Sequence, residues 1–137
     1  MTARAANPTA KSVVLDNVFD ELRAILLRHA GPFSEHEGLV RNKRDYHLKL
    51  VKPLIIDGRK KDELWFASII MQKDSLGFYL TPLSCCDDVK AKLSPALLKH
   101  LDGKTCLHMK ALTPELKKDV DAALKIAMAA YKKRKWL

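Results

Sequence analysis

The segment ELWFASIIMQKDSLGFYLTPL, residues 63–83, decides the fold of this chain. Its two apolar runs, residues 63–71 and 75–81, flank the polar residues 72–75, and this arrangement predicts a β-hairpin. A third apolar run, residues 106–110, follows a short polar stretch and predicts one more strand. We therefore expect one sheet at the centre of the molecule.

The residues before the hairpin predict a long helix and a further strand. Residues 13–30 carry apolar side chains at spacings of three and four, which is the pattern of an amphipathic helix, and Gly31 followed by Pro32 should end it. Residues 46–51 alternate apolar and polar side chains, which is typical of a strand with one wet face. We expect Pro53 to limit that strand or mark a sheet edge, the alternative being that residues 54–56 extend the strand after a kink. Residues 33–45 are expected to form a loop or turn.

The residues after the hairpin predict helices at the end of the chain. Residues 84–102 indicate two short helical pieces, the second capped by Ser94 with Pro95 in its first turn. Thr113 and Pro114 open the last helix by the same logic. The predicted class is α+β, with a mainly antiparallel sheet of about four to five strands packed by N- and C-terminal helices. Residues 13–137 form the single domain, preceded by a basic tail over residues 1–12.

Composition sets limits on localisation and chemistry. The chain of 137 residues is 47% hydrophobic and 30% charged, as in soluble globular proteins. Its first residues lack the apolar core of a signal peptide, so we expect a cytoplasmic protein with no membrane partner. The three cysteines, Cys85, Cys86 and Cys106, argue against a secreted disulfide framework. We expect reduced, partly buried thiols, the alternative being a redox or metal role for the adjacent pair.

The net charge of +9 favours acidic partners, including nucleic acid. Basic residues cluster in three places, within residues 41–52, 59–61 and 132–135. Cations in the last cluster also complement the dipole of a helix C-terminus. Weak nucleic-acid binding is therefore one of the alternatives.

Several motifs in order resemble a known family. They are LWFASII at residues 64–70, LGFYLTP at 76–82, SPALLKHLDGKTCLHMK at 94–110 and AYKKRKWL at 130–137. On these motifs the chain resembles the YdhG-like domain, a group of small bacterial proteins of largely unknown function. The resemblance covers residues 13–137 and implies a sheet packed by terminal helices, a layout similar to frataxin. One member of the family has been linked to iron delivery for iron–sulfur and haem assembly.

An iron-chaperone role is the alternative that this resemblance suggests. Frataxin-type iron handling uses a carboxylate-rich ridge along the first helix and first strand, because hard oxygen donors suit iron ions. The matching positions in this chain are Asp16, Asp20, Glu21, Glu35, His36 and Glu37. The segment that follows is basic, with Arg41, Lys43 and Arg44, and would repel a cation.

A binding site on the wet face of the sheet is the preferred hypothesis. Six side chains on or beside the predicted strands are its ligand-pocket candidates: His47, Trp65, Phe78, Tyr79, Cys106 and His108. Aromatic rings beside polar side chains suit small ligands, although such rings more often fill the core. Cys106 and His108 lie one residue apart in a strand and so point to one face, which also allows a soft-metal site.

The sequence indicates no enzyme. A nucleophile must be positioned by a base, and no local signature of that kind surrounds the cysteines or histidines. The motif at Gly103 and Lys104 lacks the preceding glycine of a phosphate-binding loop and leads into a strand. We therefore expect a non-catalytic module without a cofactor, a monomer or weak homodimer, that binds a protein or a small ligand.

Overall fold

The computed structural model describes residues 10–40 and 43–137 of the chain. The helices there are α1 (Ala10–Arg28), α2 (Pro82–Cys85), α3 (Asp87–Lys92), α4 (Pro95–Leu98) and α5 (Pro114–Lys133). The strands are β1 (Ser34–Val40), β2 (Lys43–Ile56), β3 (Arg59–Met71), β4 (Leu76–Leu80), β5 (Leu101–Asp102) and β6 (Cys106–Met109). They form one sheet in the order β1-β2-β3-β4-β6-β5, with every neighbouring pair antiparallel. The α+β class is confirmed, with six strands in the described residues where about four to five were expected.

The two long helices pack their apolar stripes on one face of the sheet. α1 begins at Ala10, so the end of the predicted tail is helical, and residues 1–9 lie outside the described part. Its buried side chains recur at spacings of three and four: Leu15, Val18, Phe19, Leu22, Ile25 and Leu26. α5 begins where predicted, because the Thr113 hydroxyl accepts a hydrogen bond from the Leu116 N–H over 3.1 Å and Pro114 follows the cap.

The hairpin of β2 and β3 is longer than the sequence indicated. Asp57 and Gly58 form its turn with φ angles of 52° and 79°, and Gly adopts the second without steric cost. The register of the hairpin shifts between Val51 and Leu54. Pro53 lies within this irregularity, and β2 continues beyond it to Ile56, as in the alternative of an extension after a kink. A residue that cannot donate to the ladder is tolerated there because a bulge leaves it unpaired.

β1 corrects the prediction of a loop before β2. Its seven residues pair with β2 from Ser34 opposite Lys49 to Val40 opposite Lys43. Strand β1 is mostly polar because it lies at the sheet edge, where both of its faces reach solvent. Phe33, directly before β1, is 5% exposed and stacks on Phe66 with ring centroids 4.6 Å apart.

The remaining elements add the last two strands beside β4. The hairpin turn at residues 72–75 is confirmed, with the Gln72 N–H donating to the Ser75 carbonyl over 2.9 Å. Helices α2, α3 and α4 then cross over and pack against α5. β6 returns to pair with β4, and the short β5 pairs with the far side of β6. The Ser94 hydroxyl caps α4 as predicted, accepting from the Leu97 N–H.

This arrangement gives the sheet two different faces. One face meets the helix layer and contributes the core side chains Tyr46, Leu48, Ile69, Phe78, Leu80 and Leu107. The alternate side chains of the same strands point to the opposite face, which is called here the open face. None of the described helices combines the length and the apolar character that crossing a membrane requires.

Candidate ligand-binding face of the sheet

A line of polar side chains crosses the whole open face from edge to edge. Successive pairs in the strand registers join its members directly. From β1 to β5 these members, called here the polar row, are His36, His47, Ser68, Tyr79, Cys106 and Asp102. Neighbouring strands lie about 4.8 Å apart, so a row across six strands is about 24 Å long.

His47 is the best-held member of the polar row. Its Nδ1 lies 2.8 Å from the Ser68 hydroxyl oxygen, and its Nε2 lies 3.4 Å from Asp45 Oδ1. Burial lowers the pKa of His47 below its ordinary value, and the Asp45 carboxylate only partly offsets this effect. The ring is therefore neutral at pH 7, so Nδ1 accepts from the serine and Nε2–H donates to the aspartate.

The Ser68, His47 and Asp45 group has the residue types of a hydrolytic triad but not its setting. Ser68 is 5% exposed and lies in the middle of β3, paired on both sides with β2 and β4. The sheet ladder therefore occupies the main-chain N–H groups on either side of the hydroxyl, so they are not available to stabilise an oxyanion. The three side chains instead form a fixed hydrogen-bonded group on the open face.

Trp65 is the large aromatic side chain of the open face. The β2–β3 register shifts next to it, with Leu48 opposite Ala67 and Lys49 opposite Trp65, so Phe66 turns inward while Trp65 stays outside. Trp65 is 37% exposed, and the Lys49 Nζ lies 4.6 Å from the indole centroid. The ring of His47 meets the indole edge-on at 5.2 Å.

Lys49 is held in place over the indole by a second partner. Its Nζ lies 3.1 Å from Glu63 Oε2, and its side chain is 19% exposed. The ammonium group, fixed above the ring face, makes a cation–π contact that holds the indole in one orientation. Trp65 thus presents a fixed surface.

A notch lies at Gly77 in β4, on the side of the polar row away from Trp65. A Cβ at this position would lie 2.7 Å from the Tyr79 ring, 3.0 Å from the Gln72 amide nitrogen and 3.3 Å from Cys106 Sγ. Only glycine leaves room for these three side chains to converge. The Gln72 amide donates to the Tyr79 hydroxyl over 3.3 Å, which fixes the phenol ring over the notch.

Cys106 and His108 do share the open face as predicted. Cys106 Sγ lies 3.6 Å from His108 Nε2, and that nitrogen lies 3.2 Å from Asp102 Oδ2. Burial raises the pKa of Cys106, and the hydrogen bond with Tyr79 only partly opposes this, so the thiol stays protonated at pH 7. Across residues 10–40 and 43–137, no three histidine, cysteine or acidic side chains are placed to hold a metal ion.

The structure brings most of the ligand-pocket candidates together and excludes one. His47, Trp65, Tyr79, Cys106 and His108 all lie on the open face, arranged around the polar row. Phe78 does not belong to this site. Its side chain points to the helix layer and is fully buried in the core, because adjacent residues of a strand face opposite ways.

Sequence reasoning missed several members of the face. Asp45, Ser68 and Gln72 were not among the candidates, yet each holds a neighbouring ring in place. Asp45 lies two residues from His47, and Ser68 lies an even number of positions from Trp65 once the bulge is allowed for, whereas Gln72 lies just after the end of β3. Period-two alternation was the signal that would have found Asp45 and Ser68.

The candidate iron ligands do not gather in one place. Three of the acids lie on α1 and Glu37 lies on β1, and each of them pairs with a basic group. The pairs are Asp16 and Asp20 with Arg44, Glu21 with Lys117, and Glu37 with Arg23. Glu35 accepts a hydrogen bond from the Tyr46 hydroxyl over 2.8 Å. His36 lies on the open face, away from the acids of α1. The ion pairs also neutralise part of the first basic cluster, of which Arg41 lies outside the described residues.

A separate cleft opens beside the open face, next to His108. Its volume is about 490 Å³. It lies between α4, the end of β6 and the start of α5, and its lining residues are Ala96, His100, His108, Lys110, Ala111, Thr113, Glu115, Leu116 and Asp119. The His100 Nδ1–H donates to the His108 carbonyl over 2.9 Å, which joins the cleft wall to β6. Sequence reasoning did not anticipate this cleft.

Two of the three cysteines are not the reduced thiols that were expected. Cys85 and Cys86 are bonded to each other through their sulfur atoms, whereas Cys106 is a free, buried thiol. The pair lies on the helix side of the molecule, at the junction of α2 and α3. It is not part of the polar row.

Comparison of the chain with protein-family models, with curated proteins and with solved structures finds no match. The case for a function therefore depends on the geometry of the open face.

Proposed function

We propose that this protein is a non-catalytic binding module whose open face takes a flat, elongated ligand carrying polar groups. The polar row is the observation that carries the proposal. The row occupies register positions in all six strands, and within it the His47, Ser68 and Tyr79 side chains are held by side-chain hydrogen bonds. Such fixed polar groups reduce the ordering cost of binding, because they lose little freedom when a ligand arrives.

The shape and chemistry of the face indicate the kind of ligand. Trp65 in β3 offers a fixed aromatic surface on one side of the polar row, and the notch at Gly77 in β4 offers a recess on the other side. Between them lie hydrogen-bonding groups of His47, Ser68 and Tyr79. Pockets for small molecules combine apolar or aromatic surface with a few fixed polar groups in this way.

A titration followed by NMR tests the proposal with named probes. Indole-3-acetate, benzoate and benzamide are each added to the protein while the indole N–H of Trp65 and the backbone amides are monitored. We expect the resonances of residues along the polar row to shift with at least one probe. Trp65→Ala should abolish those shifts, because it removes the stacking surface.

Leu27→Ala is the matched control for Trp65→Ala. Leu27 is also a large exposed apolar side chain, 48% exposed, but it lies on α1 in the helix layer. This variant should retain every probe-induced shift. Shifts confined to the helix layer, or none at saturating concentrations of all three probes, would show that the open face is not the binding surface.

A further inference from the structure

We infer that Cys85 and Cys86 form a reversible thiol–disulfide exchange site, which low-molecular-mass thiols open and the corresponding disulfides close. The sulfur atoms of these two residues are bonded to each other. The site is separate from the open face and does not depend on the ligand proposed there. Its co-reactants are thiols of the glutathione class.

The two cysteines differ in solvent access, and this difference decides which sulfur atom an external thiolate attacks. Cys85 is an exposed residue, whereas Cys86 is fully buried with Leu83 and Val89 in the core. An external thiolate therefore reaches Cys85 Sγ and not Cys86 Sγ. Since thiol–disulfide exchange proceeds by attack of a thiolate on one sulfur and departure of the other, Cys86 is the leaving group.

Opening of the bond consumes two external thiols and balances as follows. The first thiolate, RS⁻, bonds to Cys85 Sγ, the bond between the two cysteines breaks, and Cys86 leaves as a thiolate that takes up a proton. The second thiolate attacks the outer sulfur of the mixed disulfide, which releases RSSR and leaves Cys85 as a thiolate that is protonated. In total, the protein disulfide is reduced by two electrons and two RSH are oxidised to RSSR.

The surroundings suit both states of the pair. In the reduced state the Cys85 thiol has an acceptor in place, because its Sγ lies 3.4 Å from the Pro82 carbonyl oxygen. After the first step Cys86 remains on the residue adjacent to Cys85. It can attack Cys85 Sγ of the mixed disulfide and close the bond again, with release of RSH, unless the second external thiol intercepts it.

The sequence makes the site easy to read by mass spectrometry. Trypsin cleaves after Lys73 and Lys90, which places Cys85 and Cys86 on one peptide, and after Lys104 and Lys110, which places Cys106 on another. The folded protein is equilibrated in glutathione buffers of increasing GSSG to GSH ratio. It is then treated with N-ethylmaleimide under native conditions, digested and analysed.

We expect the peptide of residues 74–90 to convert, as GSSG increases, from a form that labels at Cys85 to a form lighter by two hydrogen atoms that takes no label. Transfer of the oxidised protein to excess GSH should restore labelling. Free Cys85 thiol at every ratio, a bond from either cysteine to Cys106, or a bond that GSH does not open in the folded protein would each overturn the inference.

Two variants separate the site from the remaining thiol. Cys85→Ser changes an exposed side chain and should leave a folded protein in which Cys86 neither bonds nor labels under native conditions. Cys106→Ser should leave the dependence on the GSSG to GSH ratio unchanged, because Cys106 lies on the open face. A changed dependence in Cys106→Ser would show that the third thiol takes part and would overturn the assignment to the adjacent pair.

Discussion

At the scale of single residues, Gly77 shows how one missing side chain shapes the open face. The site of an absent Cβ lies 2.7 Å from the Tyr79 ring, closer than carbon atoms approach without displacement. Gly77→Ala should therefore push Tyr79 out of place and lower the free energy of unfolding by about 1–3 kcal/mol, the usual cost of overpacking. Chemical denaturation with urea measures this change.

A double-mutant cycle tests whether the Tyr79 ring causes the loss of stability in Gly77→Ala. In a Tyr79→Ser background the ring is gone, so adding Gly77→Ala should cost clearly less than it does in the natural chain. Equal costs in both backgrounds would mean that the backbone of β4, and not the tyrosine ring, requires glycine.

His47 makes the stability of the fold depend on pH. Its pKa in the folded state is lowered by burial, so between that value and the ordinary pKa of about 6.5 the unfolded chain binds more protons than the folded one. Stability should therefore fall as pH decreases through about 6.5. His47→Asn, which retains a hydrogen-bond acceptor for Ser68, should show a smaller fall between about pH 7.5 and about pH 5. Identical pH profiles would rule out His47 as the source.

At the scale of elements, the sequence predicted helix starts better than strand limits. Capping residues act locally, so Ser94 and Thr113 could be recognised from the sequence alone. β1 was missed because an edge strand has no continuous buried face and thus no apolar alternation. At Pro53 the sequence left open whether the strand ends or continues after a kink, because whether a bulge accommodates a proline depends on the partner strand.

Thr113 allows a direct test of capping. Thr113→Ala removes the acceptor for the Leu116 N–H and should lower the free energy of unfolding by about 1 kcal/mol. Thr113→Ser keeps a hydroxyl at the same position and should lose far less in the same thermal or urea unfolding experiment. Equal losses would indicate that the threonine methyl group, not the hydroxyl, stabilises the start of α5.

At the scale of the whole molecule, five of the six ligand-pocket candidates lie on the open face, but the sequence did not show how they line up. Alternation within β4 places Tyr79 and Phe78 on opposite faces, and that separation could be read from the sequence alone. The polar row depends on the registers between strands, and β6 joins β4 only after the crossover through three helices. Register between distant segments is set by tertiary packing, which a single sequence does not reveal.

The charge of the molecule gives a prediction at this scale. With a net charge of +9, like charges repel one another in the compact state. Raising NaCl from about 0.01 M to about 0.15 M shortens the screening length from roughly 30 Å to roughly 8 Å, so the midpoint of thermal unfolding should rise. A falling midpoint would mean that attractive pairs, such as those of Arg44 with Asp16 and Asp20, outweigh the repulsion.

The Tyr131 hydroxyl donates to the Trp65 carbonyl over 2.7 Å, while the Trp65 indole lies on the other side of the sheet. One residue thus ties the last turns of the chain to the surface proposed for binding. Any tag, truncation or partner that displaces the end of α5 would weaken the hydrogen bond to the Trp65 main chain without contacting the indole. The hydrogen bond acts in both directions, so a ligand that displaced the Trp65 main chain would also disturb Tyr131.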